Sequence, residues 1–308
     1  KQAFFDALNG FENYVYGLFP KYIGYMKFDG NSKVVTQDSQ GYLFPQLARK
    51  ATLQSVLGSG VKKNGFTCEF FFAPPDDNTA HSNQVIFQKL STDGTTGISL
   101  IVTQSAAADK DVFVHGIFTS GSGDAAGTRD TYKLHLSASV PKGKFSHLAF
   151  VYDKSGTSSL KILRNGRPVA SSSSTLLYEK LDFTRSDITI GSGSHHVGKI
   201  ISNAVNSKVI EAQQFLTGAL DEFRFWTEAR TDNQISASMH YNAISTENLG
   251  LYYKFNEPTG SYANNNIILD SSGNGLHSTI TNYSLNQRKL ELTPPAKYES
   301  SKENPVLF

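Results

Sequence analysis

The sequence predicts an all-β protein, a sandwich or barrel of short antiparallel strands. Two observations point to it. Along most of the 308 residues, runs of alternating apolar and polar residues are broken by clusters of Gly, Ser, Asn and Asp, the punctuation of strands and turns. The composition agrees: 18% of residues are charged, 12% are aromatic and 25 are glycine. Rings are thus available to fill a layer between sheets, and small residues to turn between strands.

The chain opens differently. Phe4, Leu8, Phe11, Val15, Leu18 and Phe19 fall three or four residues apart, one face of a helix, and Pro20 stops it. Residues 1–21 therefore read as a helix and connector, whose aromatic face packs on the body of the chain or on a partner. Phe4, Leu8, Phe11, Val15 and Phe19 are the candidate partner contacts. Lys1 at the start leaves a processed chain and a piece of a longer one both open.

The strand zone spans residues 22–290. Runs at 25–28, 66–72, 85–87, 98–102, 112–118, 132–136, 145–152, 160–163, 188–190, 215–226, 249–255 and 267–269 read as strands. The clearest hairpin is 160–169, where Asn165 and Gly166 supply the positive φ angles of a two-residue type I′ turn. Pro168 has no N–H to give to a ladder, so the returning strand is expected to be short or at an edge. One helix interrupts the strands: Thr231 and Gln234 form a capping box ahead of Ile235 and Met239. Residues 291–308 hold Pro294, Pro295 and Pro305 and read as a tail or linker.

Charge and cysteine narrow the function. With 29 basic and 27 acidic residues, a net of +2, the chain has no overall field to steer nucleic acid or an anionic membrane toward it. No run of 18 apolar residues exists, so no helix is expected to span a bilayer. A single cysteine excludes an internal disulfide framework and a Cys-based zinc site. That Cys68 alternates with Phe66, Phe70 and Phe72 and reads as a buried, inert thiol.

Five stretches together resemble the laminin-G-like modules of the concanavalin A-like jelly-roll superfamily. They are 26–35 (MKFDGNSKVV), 66–72 (FTCEFFF), 147–153 (HLAFVYD) with 160–166 (LKILRNG), 188–192 (ITIGS) with 216–226 (LTGALDEFRFW), and 251–257 (LYYKFNE) with 269–275 (LDSSGNG). The resemblance implies a concanavalin A-like jelly-roll sandwich of two antiparallel sheets. In 220–226, alternation alone places Asp221, Phe223 and Phe225 on one face and Glu222, Arg224 and Trp226 on the other. Glu222 and Arg224 can then pair, while Asp221, at the end of an apolar face, requires a partner.

The resemblance also implies a calcium ion, bound by hard oxygen ligands from Asp29, Asp221 and Asp270. The alternative for Asp29 and Asp270 is an Asx turn onto the following backbone. Glucanases of the superfamily use carboxylates in an E-x-D-x-x-E strand, which this sequence lacks, and the adjacent Asp221 and Glu222 point apart and cannot flank one glycosidic bond. Residues 193–199 approach a phosphate loop, but Ile200 stands where Ser or Thr must hold Mg²⁺. His195 and His196 have the donors to ligate a metal, but adjacent histidines in a Gly/Ser loop read as solvated.

Glycan binding is a further possibility of the resemblance. Tyr252, Tyr262, Asn264 and Asn265 lie in or near one loop, and Trp226 lies on the non-core face of its strand; the alternative is that these rings are core, or cover the edge under the N-terminal helix. The expected function is a non-catalytic module mediating protein–protein contacts in a larger structural assembly, with other subunits as partners. The 11–16 stretch (FENYVY) resembles phage virion proteins, which implies a virion or extracellular particle surface. A glycan-binding adhesin is the alternative, and a glycoside hydrolase the third reading.

Overall fold

The computed structural model describes residues 23–36, 65–77, 79, 81–90, 94, 97–104, 106–119, 133–153, 158–174, 187–200, 208–210, 214–243, 246, 248–257, 266–284 and 287–291. The strands in chain order are β1 (Ile23–Asp29), β2 (Lys33–Thr36), β3 (Gly65–Ala73), β4 (Gln84–Leu90), β5 (Gly97–Thr103), β6 (Asp111–Thr119), β7 (Lys133–Pro141), β8 (Ser146–Asp153) and β9 (Ser158–Arg164). They continue with β10 (Arg167–Ser174), β11 (Ile188–Ile190), β12 (His196–Ile200), β13 (Lys208–Ile210), β14 (Thr217–Trp226), β15 (Leu249–Tyr253), β16 (Ile267–Ile268), β17 (Ser278–Thr281) and β18 (Arg288–Glu291). One helix, α1 (Asp232–Ser238), lies between β14 and β15.

Two eight-stranded antiparallel sheets form the sandwich. One runs β10-β9-β8-β3-β14-β1-β18, with β15 also pairing β14; the other runs β16-β17-β2-β11-β4-β5-β6-β7. Their inner faces share a single core dominated by rings. Phe66 stacks on Phe225 at 5.5 Å and Phe70 on Phe223 at 5.7 Å, and Phe87 from the opposite sheet meets Phe223 at 5.4 Å. Alternation delivers these rings inward, as the sequence predicts. Strand β3 is nevertheless buried on both faces over its first eight residues, because its outward side chains are covered by the segment that carries α1.

The hairpin forms as expected. Asn165 (φ 50°) and Gly166 (φ 74°) connect Arg164 to its partner Arg167. Pro168 sits in the edge strand β10, although that strand is eight residues long rather than short. A register shift at Pro168/Ala170 leaves Val169 exposed, the irregularity a proline forces on a ladder. The capping box is present: Thr231 Oγ1 accepts from the Gln234 N–H, and Gln234 Oε1 accepts from the Thr231 N–H.

One expectation fails at β14. A β-bulge interrupts its pairing between Asp221 and Arg224, and Glu222 takes φ 53°. Leu220 and Phe223 both enter the core, so the extra residue is absorbed between them. Asp221 therefore does not share the Phe223 face. It stands opposite Phe71 on the outer side, and its Oδ1 accepts the N–H of Glu222 at 2.9 Å. Strand β18 reaches one residue past the expected end at 290, with Glu291 opposite Ile23. The predicted N-terminal helix with Phe4, Leu8, Phe11, Val15 and Phe19, and the tail from 292, lie outside the described residues. Among the described residues, no helix is long and apolar enough to cross a membrane.

Candidate functional site

Outward from β14 and β3 lies a buried charge network. Glu69, on β3, is fully buried. Its Oε1 accepts from Trp226 Nε1 at 2.7 Å and from Arg230 Nη1 at 2.7 Å, and Arg224 Nη1 lies 3.7 Å away. Arg224 donates through Nη2 to Glu222 Oε2 at 2.6 Å, so the predicted Glu222–Arg224 pair exists. The Tyr252 hydroxyl donates to the same Glu222 oxygen. Two arginines thus balance two glutamates, the condition under which buried charge is tolerated.

The electrostatics follow from this enclosure. Burial alone would lower the Arg224 pKa, but Tyr252, Glu222 and Glu69 outweigh it and hold the guanidinium charged. His147 is pushed well below its ordinary value by burial first, then by Arg224, His240 and Arg230, so it stays neutral. Burial, then Glu222, raises Tyr252 well above the usual phenol range, keeping its O–H a donor.

The network pins α1. Arg224 donates to the carbonyls of Ser238 (3.3 Å) and Tyr241 (2.6 Å). Arg230 donates to the Gln234 carbonyl (3.1 Å) and to Ser238 Oγ (2.8 Å). The Ser238 carbonyl is one that a helix C-terminus leaves without an intrahelical partner. Arg230 also lies over the Trp226 ring, 4.2 Å from its centroid. The E-x-R-x-W spacing of β14 is therefore a device for seating a helix on the outer face of the sheet.

With α1 fixed, a groove of about 530 Å³ opens between its first turn and β8, β9 and β10. Val151 and Ala229 give it apolar surface; Asp153, Ser159, Lys161, Ser171, Thr231, Asp232 and Asn233 give it polar groups. Lys161 and Asp232 form an ion pair across it. Arg230 is already matched by Glu69, so within the lining Asp153 and Asp232 face Lys161 alone and one carboxylate is in excess.

The residues expected to bind sit elsewhere. Trp226 is buried, with its indole N–H used by Glu69, and Tyr252 is fully buried. Both are corrected from candidate sugar platforms to parts of the network: their face was readable, the segment covering it was not. Tyr262, Asn264 and Asn265 lie outside the described residues. Asp29 is exposed and accepts from Asn31 N–H at 3.2 Å, an Asx turn. Asp270 accepts the N–H groups of Tyr252, Ser272 and Leu276 and the Ser272 hydroxyl at 2.8–3.0 Å, so both its oxygens are occupied.

Asp29 pairs with Thr217, four positions from Asp221, roughly 13 Å along the ladder. Among the described residues no group of three or more His, Cys, Asp and Glu side chains could hold a metal ion. As a calcium set, Asp29, Asp221 and Asp270 do not fit. His196 is also corrected: it is buried, with Nδ1 2.8 Å from Ser99 Oγ, while His195 is exposed. The groove residues were missed. Its flanks were both read from the sequence, as the 160–166 hairpin and the Thr231 cap, but nothing local says that they meet.

The laminin-G family model described as the concanavalin A-like lectin/glucanases superfamily matches residues 49–236. This is more than half of the chain, and the chain belongs to that superfamily. Among solved structures, it is similar to a proposed carbohydrate binding protein from Bacteroides ovatus, at 18% identity and a TM-score of 0.48, covering 89% of this chain and 61% of that one. This chain thus spans about three-fifths of the Bacteroides protein's length. It is similar to a heptameric SAP-like pentraxin from Limulus polyphemus at 14% identity and a TM-score of 0.39, covering 70% of this chain and 80% of that one. It is also similar to domains LG4-5 of the mouse laminin alpha1 chain at 12% identity and a TM-score of 0.39, covering 70% and 43%. No curated protein matches the chain.

Proposed function

We propose that this domain is a non-catalytic binding module that takes a neutral glycan in the groove between α1 and β8–β10. The observation that carries the reading is the lining: carboxylates of Asp153 and Asp232 to accept from sugar hydroxyls, Lys161 and Asn233 to donate, and serine hydroxyls that do either. The excess carboxylate disfavours a phosphate or a polyanion, and the hydroxyl and amide groups suit an uncharged polyol. The groove is concave and braced from behind by Arg230, so little order is lost on binding.

A glycan array followed by calorimetry tests it. Binding should weaken about tenfold or more in Asp232→Asn and Lys161→Met, with the melting temperature checked in parallel. Binding unchanged in both variants would overturn the site, and release of reducing sugar from a bound glycan would overturn the non-catalytic reading. A second reading, a component of a larger particle such as a phage virion, is supported by the amphipathic pattern of Phe4, Leu8, Phe11, Val15 and Phe19. It predicts oligomers by light scattering that dissociate on deletion of residues 1–20; a monomer with and without them would sink it.

A further inference from the structure

The outward face of the second sheet carries a histidine pair that neither the core nor the groove uses. On β6, Val112 and Val114 enter the core, so His115 points outward; on β7, Leu136 and Ala138 enter it, so His135 does too. The register sets Ile117 opposite His135 and His115 opposite Ser137, which makes the two histidines diagonal neighbours. His115 Nδ1 lies 3.0 Å from His135 Nε2, and the rings are parallel within 7° with centroids 5.3 Å apart. On the far side of His115, Nε2 lies 2.7 Å from Thr103 Oγ1 on β5. Both histidines are half-buried, and Phe113 beside them is 41% exposed, so the pair is reachable from solvent.

We infer that His115 and His135 form a binding site for a first-row transition-metal ion, in which the His135 proton moves from Nε2 to Nδ1 and the ion takes the freed Nε2 together with Nδ1 of His115. Imidazole nitrogen is the donor such ions prefer over Ca²⁺ or Mg²⁺. With metal–nitrogen bonds of about 2.1 Å, nitrogens 3.0 Å apart subtend roughly 90° at a shared ion, the cis angle of square-planar and octahedral sites. Imidazole χ2 wells are broad, so each ring can turn its lone pair off the nitrogen–nitrogen line toward the ion. Thr103 supplies the outer support: accepting the Nε2–H of His115, it leaves Nδ1 as the ligating atom, as metal-bound histidines require. Two long, paired strands hold the rings, and water completes the coordination.

The site is on the sheet opposite the groove and stands independently of the glycan reading. The test is titration of the whole chain with Cu²⁺, Ni²⁺ and Zn²⁺ at pH 7.5, followed by calorimetry and, for Cu²⁺, by electron paramagnetic resonance. One equivalent should saturate, Cu²⁺ most tightly, with nitrogen hyperfine structure. His115→Ala and His135→Gln should each weaken binding about tenfold or more, and Thr103→Val should weaken it less. His135→Gln keeps a hydrogen-bonding group of similar length opposite His115, and metal-free unfolding curves confirm that the variants fold. Affinity unchanged in both histidine variants, or no saturation at millimolar metal, would overturn the site.

Discussion

Replacing Glu69 with Gln probes the buried network most directly. The substitution keeps volume and removes one charge. Glu69 is fully buried and its Oε1 serves both Trp226 and Arg230 at 2.7 Å. In the variant, Glu222 is left to balance Arg224 and Arg230, with the half-buried Glu228 also acting on Arg230, and the Gln amide puts N–H groups where Glu69 Oε2 accepts no hydrogen bond. Breaking a buried pair in this way costs about 3–5 kcal/mol, and the retained oxygen acceptor places Glu69→Gln near the lower end. Urea unfolding followed by tryptophan fluorescence reads the effect well, because Trp226 is the only tryptophan and lies in the network. The midpoint should fall with little change in slope. Adding Arg230→Met to Glu69→Gln should restore part of the loss, since it removes the charge left over; a coupling of about 1–3 kcal/mol is expected. A loss below about 1 kcal/mol in Glu69→Gln, with no coupling to Arg230, would show that water reaches these groups and refute the reasoning.

Three further outcomes follow from other parts of the fold. Burial lowers His196 to about 4, against roughly 6.5 for an unfolded imidazole. The unfolded state alone takes up this proton between those values, so its contribution is intact above pH 6.5 and falls by about 3 kcal/mol toward pH 4, at 1.36 kcal/mol per unit; unfolding at pH 7, 6, 5 and 4.5 should show a shallower acid loss in His196→Gln, and identical slopes would contradict it. Gly166→Ala should destabilise by about 2 kcal/mol, because φ is +74° and a Cβ would meet Ser236 Cβ at 2.9 Å; an unchanged melting temperature would count against the tight turn. Cys68 is fully buried, and burial, then Glu69, raises its pKa well above the ordinary thiol range, so a thiol reagent should label it only as the protein unfolds, and stoichiometric labelling of the native chain within minutes would refute this.

What was legible in the sequence was local. Alternation located β3, β8 and β14 and the rings that meet between the sheets, because a strand's period of two is a property of its own backbone. Asn165-Gly166 and Thr231–Gln234 announced a turn and a cap, since each is completed within four residues. Glu222 and Arg224 were legible as a pair for the same reason. The β14 bulge was not: Glu is an unusual residue for φ 53°, and one absorbed residue moved Asp221 to the opposite face. Trp226 and Tyr252 show the same limit. Their outward direction follows from strand period, but whether an outward ring is wet depends on what lies over it.

By itself the sequence determined an all-β sandwich of a recognisable family, a helix start, a hairpin and a charge balance that offers nucleic acid no field. Those features arise from neighbours in the chain and from summed composition. Only the tertiary structure decided that Arg230 braces α1 against Glu69, that Asp153 and Lys161 face Asp232 across a groove, and that His115 Nδ1 lies 3.0 Å from His135 Nε2. Each of these joins residues far apart in sequence or on different strands. Their proximity is set by sheet order, register and a single bulge, which arise from packing the whole chain at once.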